Sequence, residues 1–142
     1  MKRFALSMVA VALVTAPAVA QMQSKPDFNN IVRTRDLTDS NIYTTSQAYD
    51  EGAWFDMTFD DVDSGWNEIG EVEDVVLDRN GKLVGIVAEV GGFLDVADKH
   101  VMIDVKDIKF VPAEEPGHYI VVTRQNEEQL EAMAGLDEGW WE

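Results

Sequence analysis

Two apolar runs meet at Asp78-Arg79-Asn80-Gly81, and that junction constrains the fold more than any other part of the chain. Ile69, Val72, Val75, Val76 and Leu77 lie before it; Leu83, Val84, Ile86, Val87, Ala88 and Val90 lie after it. Asn80-Gly81 tolerates the positive φ of a tight reversal, and the branched residues on either side supply cross-strand pairs, so this segment is predicted to be a β-hairpin. The returning strand sets Val84, Ile86, Ala88 and Val90 on one face and Leu83 and Val87 on the other. Apolar on both faces, it belongs between neighbours rather than at an edge.

The same periodicity places the remaining strands. Ile42 to Thr44 is rich in branched and aromatic side chains. Val101, Ile103 and Val105 alternate with His100, Met102 and Asp104. Ile108 to Val111 is expected to turn Ile108 and Phe110 inward and Lys109 outward, with Pro112 closing it for want of an amide donor. Tyr119 to Thr123 is the last strand. The pattern then becomes helical: Asn126 as cap, Gln129 bonding back from three residues on, Glu127 and Glu128 at the dipole's positive end, Leu130, Met133 and Ala134 as the apolar stripe, and Gly135 as the stop.

Two stretches carry no such signal. Residues 21–40 form a polar lead-in with no packed structure expected. Residues 46–68 form an acidic, aromatic insert, read as a long connection with a short strand or turn near Trp54 to Phe59; loops of this length are functional or mobile when they occur in compact domains. The tail Asp137-Glu138-Gly139-Trp140-Trp141 echoes Asp50-Glu51-Gly52-Ala53-Trp54. With no repeat of solenoid length, the echo is read as coincidence.

The run Ile69-Gly70-Glu71-Val72-Glu73-Asp74-Val75-Val76-Leu77-Asp78, then Asn80-Gly81, Val90-Gly91-Gly92-Phe93-Leu94 and Lys99-His100-Val101, resembles the PRC-barrel family over Asn41 to Pro112. The resemblance implies a mainly β fold, a small, strongly bent β-barrel over 41–123, here followed by a short C-terminal helix and Trp-rich tail over 124–142. Two departures are an insert longer than a minimal member needs and Asp95-Val96-Ala97-Asp98 where many relatives carry glycine. Known relatives serve as interaction modules in assemblies as different as reaction centres and ribosome maturation. They share no catalytic residues to carry over, and fold does not imply function.

The beginning of the chain speaks to compartment. Lys2 and Arg3 precede the apolar stretch Phe4 to Val14, followed by Pro17 and Ala18-Val19-Ala20, the three-part pattern of a cleavable secretory signal peptide over 1–20. The stretch is too short, and too interrupted by Pro17, for a stable membrane span. Export to the periplasm or beyond the cell is therefore expected. Cleavage would lower Lys plus Arg from 11 to 9 against 27 Asp plus Glu, a formal charge of −18. So acidic a surface repels nucleic acid and anionic membranes and attracts cations. The chain has no cysteine, so stability must come from packing, without disulfides or thiolate metal sites.

Chemistry is sparse. Asp60, Asp61 and Asp63, with Asn67 and Glu68, are weak candidates for calcium, but an EF-hand frame from Asp61 puts Gly65 at a ligand position, Trp66 where glycine is required and Val72 where the bidentate glutamate belongs. His100 and His118 lack the i, i+4 spacing of a helical zinc pair and read as ordinary strand-start or turn residues. No serine sits in a Gly-x-Ser-x-Gly elbow. Alternation places Glu71 and Glu73 on one strand face, most simply the solvent face, and nothing singles out an acid and base pair. No enzyme activity and no cofactor is expected. What stands out is aromatic surplus: Trp54, Phe55, Phe59 and Trp66 on the insert, Trp140 and Trp141 at the end. They either dock a cationic or apolar-grooved protein partner or cover the ends of the barrel. The leading expectation is a non-enzymatic interaction module of the cell envelope; the alternatives are an acidic, divalent-cation-responsive protein and an unrecognised hydrolase.

Only Ala18-Val19-Ala20 combines small residues with a proline break upstream. N-terminal sequencing of the protein purified from its native host should therefore begin at Gln21; a sequence beginning at Met1 would refute cleavage.

Overall fold

A computed structural model describes residues 31–45, 47–91 and 99–141. The expected leader over 1–20, Gly92-Phe93-Leu94 and Asp95 to Asp98 lie outside the described residues. Six strands are present among the described residues: β1 (Asn41–Thr44), β2 (Asn67–Leu77), β3 (Leu83–Val90), β4 (Lys99–Asp104), β5 (Ile108–Pro112) and β6 (Tyr119–Thr123). They form one mixed sheet in the order β4-β3-β2-β1-β6-β5. Neighbours run antiparallel except β1 and β6, which pair in parallel through Ile42 with Val121, Tyr43 with Val122 and Thr44 with Thr123.

The fold is mainly β, as the pattern predicts, but the hydrogen-bonded ladder is open rather than closed, with β4 and β5 at its two ends. Curvature brings those ends together nonetheless. Ile103 of β4 and Ile108 of β5 share one core cluster with Ile42, Ile69, Val72, Ile86 and Val121, closed off by Leu130. Within the ladder β3 approaches β4 closely at Gly85, where an added Cβ would lie 2.2 Å from the Ile103 carbonyl oxygen. Only a residue without a side chain accommodates that approach.

The hairpin forms where expected and by a more specific device than Asn-Gly alone. Leu77 pairs with Leu83; the Gly81 N–H donates to the Asp78 carbonyl at 2.9 Å and the Asp78 N–H to the Lys82 carbonyl at 2.8 Å. Gly81 has φ +82°, whereas Asn80 does not adopt positive φ. This is a type I turn followed by a left-handed glycine rather than a two-residue reversal. Asp78 Oδ1 accepts from the N–H groups of Asn80 (2.8 Å) and Lys82 (2.9 Å). The Lys82 amide, opposed by partial desolvation and seconded by Asn80, holds the Asp78 carboxyl below its usual range. Its contribution to the turn is thus complete above the unfolded carboxylate's pKa and fades as pH falls through the lowered value.

Three expectations are corrected. The lead-in is ordered from residue 31: a 3-10 turn, Thr34–Asp36, precedes buried Leu37. Beyond it, the Asp39 N–H and Ser40 carbonyl bond both polar groups of Val72 at 2.8 and 2.9 Å. Val105 does not continue β4; Asp104 takes the Lys106 N–H at 2.9 Å and caps a 3-10 turn, Val105–Asp107, that redirects the chain into β5. Lys109 is not a solvent-facing residue, because the insert folds over it.

The helical end starts as its sequence reads but stops before Gly135, with Met133 as its C-cap in extended backbone. Helix α2 (Glu127–Ala132) starts from a complete capping box, the Gln129 N–H on Asn126 Oδ1 at 2.9 Å and the Asn126 N–H on Gln129 Oε1 at 3.2 Å. With no basic residue in its last turn, its C-terminal carbonyls are served from the sheet: Lys99 Nζ donates to the carbonyls of Glu131 at 2.5 Å and Met133 at 3.0 Å.

Gly81 meets nothing within 4 Å of an added Cβ, so a substitution there tests backbone conformation alone. Gly81→Val should cost on the order of 1 kcal/mol or more in urea unfolding, because a β-branched residue resists positive φ; an unchanged midpoint would mean the turn is misassigned.

Candidate functional site

The insert gains structure from its acids and aromatics together. Asp50 Oδ1 accepts the Ala53 N–H at 3.0 Å and caps helix α1 (Glu51–Phe55). That helix drives Trp54 onto the sheet face opposite the main core, against Val111 and Val122, where it is 2% exposed. Tyr49, Phe59 and Trp66 surround it: the Trp54 and Phe59 ring centroids are 5.6 Å apart, and Phe59 meets Trp66 edge-on at 4.9 Å. Lys109 lies beneath, its ammonium 5.4 Å from the Trp54 ring centroid and donating to the carbonyls of Phe55 (3.4 Å) and Met57. One lysine thus caps the end of α1 and stacks on the ring that α1 delivers.

The start of the insert is fastened by Arg124, just past β6. Its backbone exchanges hydrogen bonds with the Asp107 carbonyl (3.0 Å) and the Tyr49 N–H (3.1 Å). Its guanidinium donates to Asp107 Oδ1 at 2.5 Å and to the Tyr49 carbonyl at 3.2 Å. Asp107 is buried.

The insert, together with Thr45, encloses an open cleft of about 460 Å³. Tyr49, Phe59 and Trp66 give it aromatic surface; Thr45 and Thr58 add hydroxyls; Asp60, Asp61 and Asp63 are its acids. The three acids do not gather as metal ligands. Asp61 Oδ1 accepts the Val62 N–H at 2.7 Å and Asp63 Oδ1 the Gly65 N–H at 2.8 Å, so they serve the loop that holds the aromatic wall. Aromatic faces beside carboxylates suit an ammonium or guanidinium group, which gains from both the ring quadrupole and the charge.

The sequence-derived aromatic candidates therefore separate. Trp54 is a core residue, and Trp66 is half-buried in the cleft wall. Phe55, on the same helix as Trp54, is 82% exposed, and Trp140 is 57% exposed on helix α3 (Glu138–Trp141). The side chain of Trp141 lies outside the described residues. The echo between the two Asp-Glu-Gly segments is not idle. Asp137 Oδ1 accepts the Gly139 N–H at 2.9 Å, so each segment opens a short helix with its aspartate, one turning a tryptophan inward and the other leaving one outside. The tail is tied to the sheet by the Leu136 N–H, which donates to the His100 carbonyl at 2.8 Å.

A second grouping escaped the sequence reading. Glu73 of β2, Glu89 of β3 and His100 of β4 place potential ligand atoms within 4.8 Å of one another, the one such group of three or more among the described residues. Burial raises the Glu73 carboxyl above its usual range, the hydrogen bond and repulsion from Glu89 push it the same way, and His100 opposes them. Alternation alone could not reveal the group, because it does not say which strands are neighbours or that Glu89 stands opposite both Glu71 and His100.

Among the described residues no helix is long and apolar enough to cross a membrane. The family model for the PRC-barrel domain matches residues 61–130, from the acids of the cleft to Leu130 of α2. Comparison with curated proteins finds no match.

If Trp54 holds the insert to the sheet, Trp54→Ala should cost about 3 kcal/mol or more in urea unfolding. Trp54→Phe should cost less, since it keeps a ring and removes an indole N–H that is buried without a hydrogen-bond partner. Equal losses would show that the ring contacts are not what matters.

Proposed function

We propose that this chain, with a PRC-barrel domain at residues 61–130, is a non-enzymatic interaction module that docks a basic segment of a partner protein in the cleft of the insert. The family is generally non-catalytic, which agrees with the absence of any nucleophile and base arrangement in the sequence. The observation that carries the reading is the pairing, in one open cleft, of the aromatic surface of Tyr49, Phe59 and Trp66 with Asp60, Asp61 and Asp63. A lysine or arginine side chain entering there meets a ring face and a carboxylate at once, while the strongly acidic surface of the whole chain speeds and orients encounter. Phe55 and Trp140 are exposed aromatics available to extend the contact. Export by the Lys2 to Ala20 leader puts this docking in the cell envelope or outside the cell.

Binding of a fluorescent lysine- and arginine-rich peptide tests the assignment. Asp60→Asn, Asp61→Asn and Asp63→Asn combined should weaken it about tenfold, three rim charges at a few tenths of a kcal/mol each, and Trp66→Ala should weaken it further. Glu114→Gln, Glu115→Gln and Glu128→Gln, the same loss of charge elsewhere, should leave most of the affinity. Equal weakening by both triple variants would reduce the interaction to diffuse charge and sink the cleft. Replacing Trp140 and Trp141 with alanine reports separately whether the tail takes part.

A further inference from the structure

The three neighbouring strands β2, β3 and β4 bring Glu73, Glu89 and His100 together by register rather than by chance of side-chain reach. Glu89 pairs directly with His100 across β3 and β4, and with Glu71 across β2 and β3. Two residues beyond Glu71, the bulge leaves Glu73 without a cross-strand partner of its own. Its carboxyl lies beside that of Glu89, with ligand atoms within 4.8 Å. The His100 Nε2 is 3.7 Å from Glu89 Oε2. All three side chains are half-buried, neither free in solvent nor sealed in the core.

We propose that Glu73, Glu89 and His100 bind one divalent transition-metal ion on the sheet, a site separate from the aromatic cleft and independent of its proposed role. Two carboxylates and one imidazole are a donor set for zinc, manganese, iron, cobalt or nickel; the imidazole and the low ligand count disfavour calcium and magnesium. Bonds of about 2.0–2.2 Å at tetrahedral angles set ligand atoms roughly 3.3–3.6 Å apart. His100 Nε2 and Glu89 Oε2, at 3.7 Å, are already near that spacing, and the rest of the group, within 4.8 Å, closes by side-chain rotations of about an ångström. Two adjacent carboxylates repel when both are ionised, and a shared dication converts that repulsion into attraction. Three protein ligands leave coordination positions for water or for a donor from outside. The fixed part is well held: Glu89 and His100 are on paired strands, and the His100 carbonyl is engaged by the Leu136 N–H at 2.8 Å.

Zinc is the probe, titrated calorimetrically into the metal-stripped protein. The expected result is one ion per chain, a rise in melting temperature on binding, and at least tenfold weaker affinity in each of Glu73→Gln, Glu89→Gln and His100→Gln. Excess calcium should not displace the zinc. Glu114→Gln with Glu128→Gln, two acids removed elsewhere, should bind as the wild type does. Absence of one-to-one binding, unaltered affinity in the three ligand variants, or equal weakening in the two-acid control would overturn the site. A measurement on the unaltered protein guards against variants that fail to fold. With cobalt loaded, paramagnetic shifts should fall on the imidazole resonances of His100 and spare His118; shifts at His118, or at neither, would equally refute the assignment.

Discussion

Arg124 and Asp107 form the contact on which the other parts converge. The guanidinium, 20% exposed, and the carboxylate, 8% exposed, meet at 2.5 Å. Around that bond are the 3-10 turn that leads into β5, the end of β6, and Tyr49 at the start of the insert. A buried ion pair contributes little net stability compared with well-packed apolar residues, yet losing one partner leaves the other charge stranded at a cost of about 3–5 kcal/mol. Its role is to fix position. Arg124 bonds the Tyr49 backbone in both directions, so the aromatic side of the cleft is registered to the sheet by a polar contact and then filled by apolar ones.

Acidic chains face a difficulty with short helices, whose C-terminal carbonyls want positive charge. Neither α1 nor α2 has a basic residue in its last turn. Lysines from the sheet supply it instead: Lys109 for α1, Lys99 for α2. Two of the chain's eleven lysines and arginines are thus placed where a helix meets a strand.

Local chemistry was legible in the sequence and distant chemistry was not. The turn at Gly81, the capping box of Asn126 and Gln129, and the alternation of Val101 and Ile103 are decided by residues within five positions of one another. The fate of Lys109 depends on residues some fifty positions earlier, so period two alone turned it outward. The insert lacked a period because its order comes from one buried tryptophan and an arginine far along the chain. Its aromatic and acidic character was plain; which aromatic would be buried was not. Glu73 lies on the same face as Glu71 and Glu89, as alternation reads it; what alternation does not carry is the register that sets β2, β3 and β4 side by side. The Asp-Glu-Gly echo was visible and undervalued, for its meaning lies at the scale of a helix cap, well below that of a structural repeat.

The parallel pairing of β1 with β6 governs how this molecule can be made. Ile42 finds Val121 only after almost all the intervening chain exists, and until then β1 has a sheet neighbour on one side alone. Closing so long a loop is slow, and no early hairpin substitutes for it. During synthesis the β2–β3 hairpin can collapse by itself, but the central seam of the sheet cannot form before the C-terminal strand emerges. Strands β1 to β4 can thus pair with one another first, and β6 and β5 join at the β1 edge near the end of synthesis.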